Sequence, residues 1–531
     1  MKRSEPLFTE DQSPSEIRAA IVAAGPVCFE DLHPSDQGSL GVGKLRLVGV
    51  YDDRYEGTFM LRIRIPGGWL TNEQALAIAD IARDFAVRPE GVTDPDRFVE
   101  ITTRQDIQVH WIRFEHLAEI WDRLEAVGIR TYQACGNSMR NVTSCAVNGV
   151  DPDAVIDVAP IVAAVDKLTS TDEAVSAFLP RKFKVAITGC RTDCLITRIN
   201  CLAFTPAQLD GDLGFRVHVG GGLSDYPRLA SELDLFVRPD LVPKVVRAML
   251  DLFREEGDFE HSSVNRFRAL VHQLGTDRLT REILGRVPEV EAGGVSLSDW
   301  TQESHLGIHP DLSGTSYVGL SVPVGRLTAD ELTEVARLAR VHGDGGVRLT
   351  QRQDLILTGV ADVDRLRAES LIGRLSPAAD PFERAVIACT SAPFCKFSIL
   401  PMKKYGVELI EYLRERVPAS GWDRLEGLRI HMSGCKASCA QVPYGHVGLR
   451  GAMGKDEQST FDAMDVAIGG DAAAGELGVW VRNEFPTSDA FGTIGSLLTA
   501  VASGELTLDE LGPTEFDRHA ALTGAAAGRE E

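Results

Sequence analysis

No run of eighteen or more apolar residues occurs in this sequence, so nothing in it is built to span a membrane. The opening stretch, Met1 to Pro14, is charged and polar and lacks the apolar centre of an export signal. Basic residues are outnumbered: 55 Lys and Arg stand against 77 Asp and Glu, a formal net charge of −22. Such a surface repels nucleic acid and anionic lipid, although a local basic pocket can still hold a small anion. The glycine fingerprint of a dinucleotide-binding unit is missing, and no length is left over for a flavin module. What is present is ordinary globular material, 44% hydrophobic and 25% charged, and 531 residues predict roughly three or four domains. Ten cysteines without an export signal point to metal or redox chemistry in the cytoplasm, not to structural disulfides.

The chain repeats itself. Thr58 to Pro66 alternates apolar and polar residues as a strand does, Gly67 and Gly68 turn the chain, and a helix is predicted from Thr71 to about Arg88. Phe98 to Trp111 reads as a second strand and His116 to Val127 as a second helix. Gly325-Arg-Leu-Thr328 matches Gly68-Trp-Leu-Thr71 at an offset of 257, and Arg352-Gln353-Asp354 matches Arg104-Gln105-Asp106 at 248. Behind each copy lies a second shared element, Phe183 to Cys190-x3-Cys194 and Leu428 to Cys435-x3-Cys439. Two halves of about 250 residues, each in two parts, imply an internal pseudo-two-fold. The boundary falls between a helical Asn265 to Gly285 and a loop-rich Arg286 to Ser313. The first forty residues read as a surface-lying segment without periodicity, and the Ala-, Gly- and charge-rich end reads as a flexible tail.

Cys389, Cys395, Cys435 and Cys439 form two short pairs separated by thirty-nine residues. Four thiolates hold either zinc or an iron–sulfur cluster. Five residues inside the first pair exceed the usual zinc spacing, and a cube of iron and sulfide accepts the longer chord. Cys190 and Cys194 share the second turn, and Cys135 aligns with Cys389, so the first half offers three thiols and Arg140 where a second cluster would need a full set. Cys28, Cys145 and Cys201 read as packing residues.

Positive charge is concentrated in places. Arg62 and Arg64 share one side of a strand, Arg140 follows a turn, and Lys182 and Lys184 share one side of another strand. They are either solvated surface charges or an anion site. Arg104, Gln105, Gln108 and His110 alternate near a strand end and could grip cofactor carboxylates, though a lone histidine is more often a core residue. Gly220, Gly221 and Gly222 make a turn where backbone can approach a ligand closely.

These motifs, with Cys135-Gly-Asn-Ser-Met-Arg140 and Leu179-Pro-Arg-Lys-Phe-Lys184, resemble the sirohaem- and [4Fe–4S]-containing nitrite and sulfite reductases from about Lys44 to Ala500. The resemblance implies an α/β (α+β) fold of internally duplicated pseudo-two-fold architecture, with ferredoxin-like half-domains and two sirohaem/cluster-binding α/β domains. It divides the chain into an extension at 1–43, half-domains at 44–128 and 310–375, a sirohaem and substrate-side domain at 129–285, a linker at 286–309, a cluster domain at 376–510 and a tail at 511–531. It implies that Cys389, Cys395, Cys435 and Cys439 hold the cluster and that Cys439 bridges to the sirohaem iron. Arg62, Arg140, Lys182 and Lys184 would ring the substrate. Arg104, Gln105, Gln108, His110 and the Gly220–Gly222 turn would serve the sirohaem. The implied reaction is six-electron reduction of a small inorganic oxyanion, fed by a ferredoxin-like donor. Lys182-x-Lys184 tilts the expectation slightly to sulfite, with nitrite as the alternative. A cluster-bearing electron carrier or a cobalamin-biosynthesis relative is the remoter reading. Some relatives join a tyrosine to a cysteine near this pocket, which would correspond to Tyr51 and Cys135. Lys436 and Ala437 replace the proline and asparagine that many relatives carry inside the last cysteine pair.

Overall fold

The computed structural model describes residues 3, 5–224, 226–301, 304–456, 459–471 and 473–525. Each repeat begins with the same local device. Thr71 caps the helix Asn72–Phe85 in a reciprocal capping box with Gln74, and Thr328 caps Ala329–His342 with Glu331. Both helices bury an apolar stripe (Ala75, Ile78, Ala82 and Phe85 in the first, Leu332, Val335, Ala336 and Ala339 in the second) and pack against each other.

The two ferredoxin-like sheets exchange a strand. Trp69–Thr71, from the first repeat, completes the sheet of the second through Gly346–Leu349, and Arg326–Thr328, from the second, completes the sheet of the first through Phe98–Ile101. One continuous core therefore spans both half-domains.

The other two sheets also repeat. In the first, Met139–Ser144, Phe183–Ile187 and Leu202–Leu209 run parallel before Asp212–Val219 and Ser231–Val237 continue antiparallel. In the second, Val386–Ala388, Ile430–Ser433 and Val447–Lys455 run parallel, and Thr460–Ile468 and Val479–Pro486 follow antiparallel. Each sheet carries its own core.

Four expectations change. Phe98–Trp111 is not one strand but a hairpin, Phe98–Ile101 and Ile107–Ile112, because Thr102 Oγ1 accepts from the Arg104 and Asp106 amides and closes a turn. The first forty residues are no loose surface segment: helices Pro14–Ala24 and Ser39–Leu47 bring Leu7, Phe8, Ile17, Ile21 and Leu32 into the shared core. The 511–531 tail contains the helix Pro513–Leu522, anchored by fully buried Phe516, and only its last residues, 526–531, lie outside the described ones. The 286–309 linker holds short strands that pair back onto the first half.

Candidate active site

Parallel strands deliver the four cysteines. Val386–Ala388 ends at Cys389, and Ile430–Ser433 ends in the Gly434-Cys435 turn. Gly434 is required there, since a Cβ would fall 1.8 Å from Ser398 Oγ. Its amide donates to Cys389 Sγ at 3.2 Å, while the amides of Phe397 and Ser398 reach Cys395 and that of Ala437 reaches Cys435. Burial, then the Cys439 thiol, pushes the Cys389 thiol well above its ordinary range. Four sulfurs brought to one place, three of them met by backbone N–H donors, fit the donor set of an iron–sulfur cube.

Cys439 borders a cleft of about 290 Å³ whose lining includes Thr103, Arg104, Lys184, Asn200, Gln351 and Gln441. Cations crowd around it. Burial opposes the charge on Arg62, but Cys135, Asp106 and Cys439 hold its pKa above the ordinary value. Arg140 is pushed down to about 10 by burial and Arg62, and its guanidinium donates to the carbonyls of Ala134 and Gly136. Lys182 lies well below its ordinary value through burial, Arg266, Lys184 and Arg140. Lys184 falls from 10.5 to about 7 through burial, Arg104 and Arg266. Among the described residues neither lysine has an ion pair. Two half-buried ammonium groups without an ion pair, beside a thiol, are costly unless an anion joins them.

Arg104 reaches the cleft, held by Asn200 Oδ1 at 2.9 Å and the Asn141 carbonyl, and burial lowers its pKa to about 10. Its Nε is buried without a partner, a donor available to a carboxylate. Gln108 sits between Thr390 and, with its amide turned, Arg62, so it positions the arginine.

Other expected residues face elsewhere. Gln105 is fully buried and donates to the carbonyls of Gly67, Ser144 and Leu349 while accepting from the Ser144 amide, so it clamps backbone and has nothing to offer a cofactor. His110 is a core histidine: its Nδ1 lies 3.2 Å from Asp53, its Nε2 lies 3.7 Å from Glu100, and its ring stacks on Phe394 at 4.1 Å. The Gly220–Gly222 turn serves packing, since a Cβ would meet Val271 at 2.7 Å from Gly220 and the Arg198 carbonyl at 2.2 Å from Gly221. Arg64 is spent on Asp166 at 2.6 Å. Tyr51 neighbours Cys135 and stacks under Arg46. Sequence reasoning missed Arg266, which depresses both lysines and lies outside every repeated motif.

The model for the "Nitrite/Sulfite reductase ferredoxin-like half domain" matches residues 51–127 and 309–371, and that for the "Nitrite and sulphite reductase 4Fe-4S domain" matches 135–290. Together they span more than half of the chain. The chain belongs to the nitrite and sulphite reductase family. It is an oxidoreductase of the type that uses sirohaem and a [4Fe–4S] cluster. The second match covers the first copy of the duplicated domain, whereas the four-cysteine set lies in the other copy. Relatives include the assimilatory ferredoxin-dependent nitrite reductase of Haloferax mediterranei, 35% identical over 92% of this chain and 87% of that one. The ferredoxin–nitrite reductase of Synechococcus elongatus is 34% identical over 87% of this chain and 89% of its own length. The structure of Mycobacterium tuberculosis NirA superposes with a TM-score of 0.83 at 25% identity, covering 94% of both chains. No described helix is long and apolar enough to cross a membrane.

Proposed function

We propose that this chain is a ferredoxin-dependent nitrite reductase, taking nitrite to ammonia with six electrons. The observation that carries the reduction of a small anion is the pair of unpaired lysines, Lys182 and Lys184, near Cys439 with Arg62, Arg140 and Arg266 around them; the choice of nitrite rests on the relatives. Cys389, Cys395, Cys435 and Cys439 would hold the cluster, and Cys439 would be shared with the sirohaem iron. When bound, sirohaem and cluster would supply a metal for the substrate nitrogen and a path for single electrons.

The protein's own part is charge and protons. Arg62 keeps its charge at all working pH values and attracts the anion. Arg140 is bound to carbonyls, which orients its positive charge without removing it. Lys184, whose proton is held loosely near pH 7, is suited to protonating an oxygen that leaves as water.

The slight preference for sulfite drawn from Lys182-x-Lys184 gives way. Relatives matched over most of their length are named nitrite reductases, which supports nitrite for this chain. The lysine argument also weakens physically. It required a second full ammonium to meet a nearly doubly charged sulfite, and Lys184 is only partly charged near neutrality.

A donor surface fits the same reading. Phe397 and Ile399 are exposed apolar residues beside Cys395, and Lys436 flanks them on a chain that is otherwise acidic, while Lys396 is ion-paired with Asp52 at 2.8 Å. An acidic donor docking there would stand over the cluster. The test compares kcat/KM for nitrite and sulfite with reduced methyl viologen. A strong nitrite preference is expected, and a sulfite preference overturns the assignment.

A further inference from the structure

In the first copy of the duplicated domain, the structure corrects how its cysteines correspond to the cluster set. Ser144 pairs with Ile187 as Ala388 pairs with Met432, and Gln105 accepts from the Ser144 amide as Gln353 accepts from that of Ala388. The residues that follow, Cys145 and Cys389, are therefore equivalent. Cys190 and Cys194 correspond to Cys435 and Cys439. Cys145 packs in a small buried cluster with Val147, Val150, Cys190 and Tyr317, and it, not Cys135, is the counterpart of Cys389.

The fourth position is filled from a distance. Cys194 Sγ lies 3.2 Å from Cys145 Sγ, and His305 Nε2 lies 3.8 Å from it, while the Cys190 thiol hydrogen-bonds Cys145 as well. The ligand atoms of Cys145, Cys194 and His305 all fall within 4.8 Å of one another, the one such group among the described residues; Cys190 lies outside it and joins through its hydrogen bond to Cys145. The Cys389 set is more widely spread, as a cube needs. With Zn–S near 2.3 Å and Zn–N near 2.0–2.1 Å, tetrahedral ligands stand about 3.6–3.8 Å apart; the Cys145–His305 distance of 3.8 Å falls on that spacing and the Cys145–Cys194 distance of 3.2 Å is somewhat shorter.

We propose that Cys145, Cys190, Cys194 and His305 bind one tetrahedral, thiophilic divalent cation, zinc by its chemistry, as a structural site separate from the redox centre.

Three surrounding features bear on the site. His305 takes a left-handed backbone, φ 54°, which turns the chain just before the strand Gly307–Pro310. Gly319 makes room for it, because a Cβ there would fall 1.9 Å from the His305 carbonyl. Three thiolates and a dication leave one negative charge, and Arg348 lies close to Cys145 and donates to the carbonyls of Ala146 and Asn148. The ion would tie the first sirohaem-side domain to the second ferredoxin-like sheet. The same seam is closed by Tyr317, whose hydroxyl donates to Asp151, and by the Asp193 amide, which donates to the Thr301 carbonyl.

The test uses the intact enzyme purified with its own cofactors under reducing conditions without chelator. Elemental analysis should find about one zinc per chain, and zinc-edge X-ray absorption should give three sulfurs and one nitrogen. Cys194→Ser should reduce zinc to background while the visible spectrum of the redox centre stays. His305→Cys should keep zinc with four sulfurs, which holds the assignment testable if the serine variant fails to fold. Four additional irons, a Cys145–Cys194 disulfide in the native protein, no zinc at all, or a wild-type zinc shell of four sulfurs would each overturn it.

Discussion

Replacing Lys184 by methionine removes the ammonium and keeps the length of the side chain. A charge-assisted contact contributes about 1.5–3 kcal/mol, so kcat/KM for nitrite should fall roughly ten- to a hundredfold. The loss should sit toward the lower end, because Lys184 is one of the charges depressing Lys182 and its removal eases that depression, with burial and Arg266 still acting. The pH profile is more diagnostic. Burial, Arg104 and Arg266 bring Lys184 from 10.5 to about 7, so its proton leaves as pH rises through about 7 and wild-type kcat/KM should decline there. Lys184→Met should lack that decline, and Lys184→Arg, which stays charged, should lack it while retaining more activity. Stability moves oppositely. Between about 7 and 10.5 the unfolded lysine holds a proton that the folded one has lost, so Lys184 destabilises the fold most below pH 7. At 1.36 kcal/mol per pH unit the penalty is of order 5 kcal/mol, reduced by any bound anion, and Lys184→Met should raise Tm at pH 6. A methionine variant that keeps the decline near pH 7 would refute the reasoning.

Lys436→Glu should slow the ferredoxin-driven rate several-fold and leave the methyl viologen rate unchanged; equal loss with both donors would remove the docking surface. Cys435→Ser should abolish the cluster's paramagnetic signal on reduction, and an intact signal would reassign the ligands. Gln105→Ala leaves buried carbonyls of Gly67, Ser144 and Leu349 short of a donor and should cost about 2–3 kcal/mol of stability, read as a lowered Tm. Sirohaem binding should survive in the folded fraction, and loss of sirohaem without loss of Tm would restore Gln105 as a cofactor ligand.

The duplication was legible because it is written in local signals: a Gly-x-Leu-Thr cap, an Arg-Gln-Asp turn and a Gly-Cys-x3-Cys turn, each recurring in order. What the middle residue of Arg104-Gln105-Asp106 does was not legible. A polar residue inside a motif looks like a ligand-binding group, and only the exchange of strands between sheets shows that Gln105 spans three segments of backbone. Arg266 was missed because it precedes a helix with no motif around it, and its neighbours Lys182 and Lys184 are about eighty residues away. The helix Pro513–Leu522 was read as tail because one phenylalanine, Phe516, carries most of its anchoring. His305 was invisible as a partner of Cys145, since 160 residues separate them and no spacing rule links a histidine to cysteines so far back.

The two copies show how one frame can hold two different centres. In each, a glutamine fixes the last residue of the first parallel strand, the next residue is a cysteine, and a glycine turn after the second parallel strand supplies two more. Three sulfurs are thus placed alike. The difference lies in where the fourth ligand originates. In the second copy it would be Cys395, on a loop whose Phe394 packs its ring against His110 at 4.1 Å and Trp111 at 4.8 Å. In the first copy the corresponding loop turns away at Val147–Val150, and His305 comes in from the neighbouring sheet and closes the space to the width of one ion. His110 therefore bears on the proposed cluster site through packing: its ring lies under Phe394, the residue before Cys395.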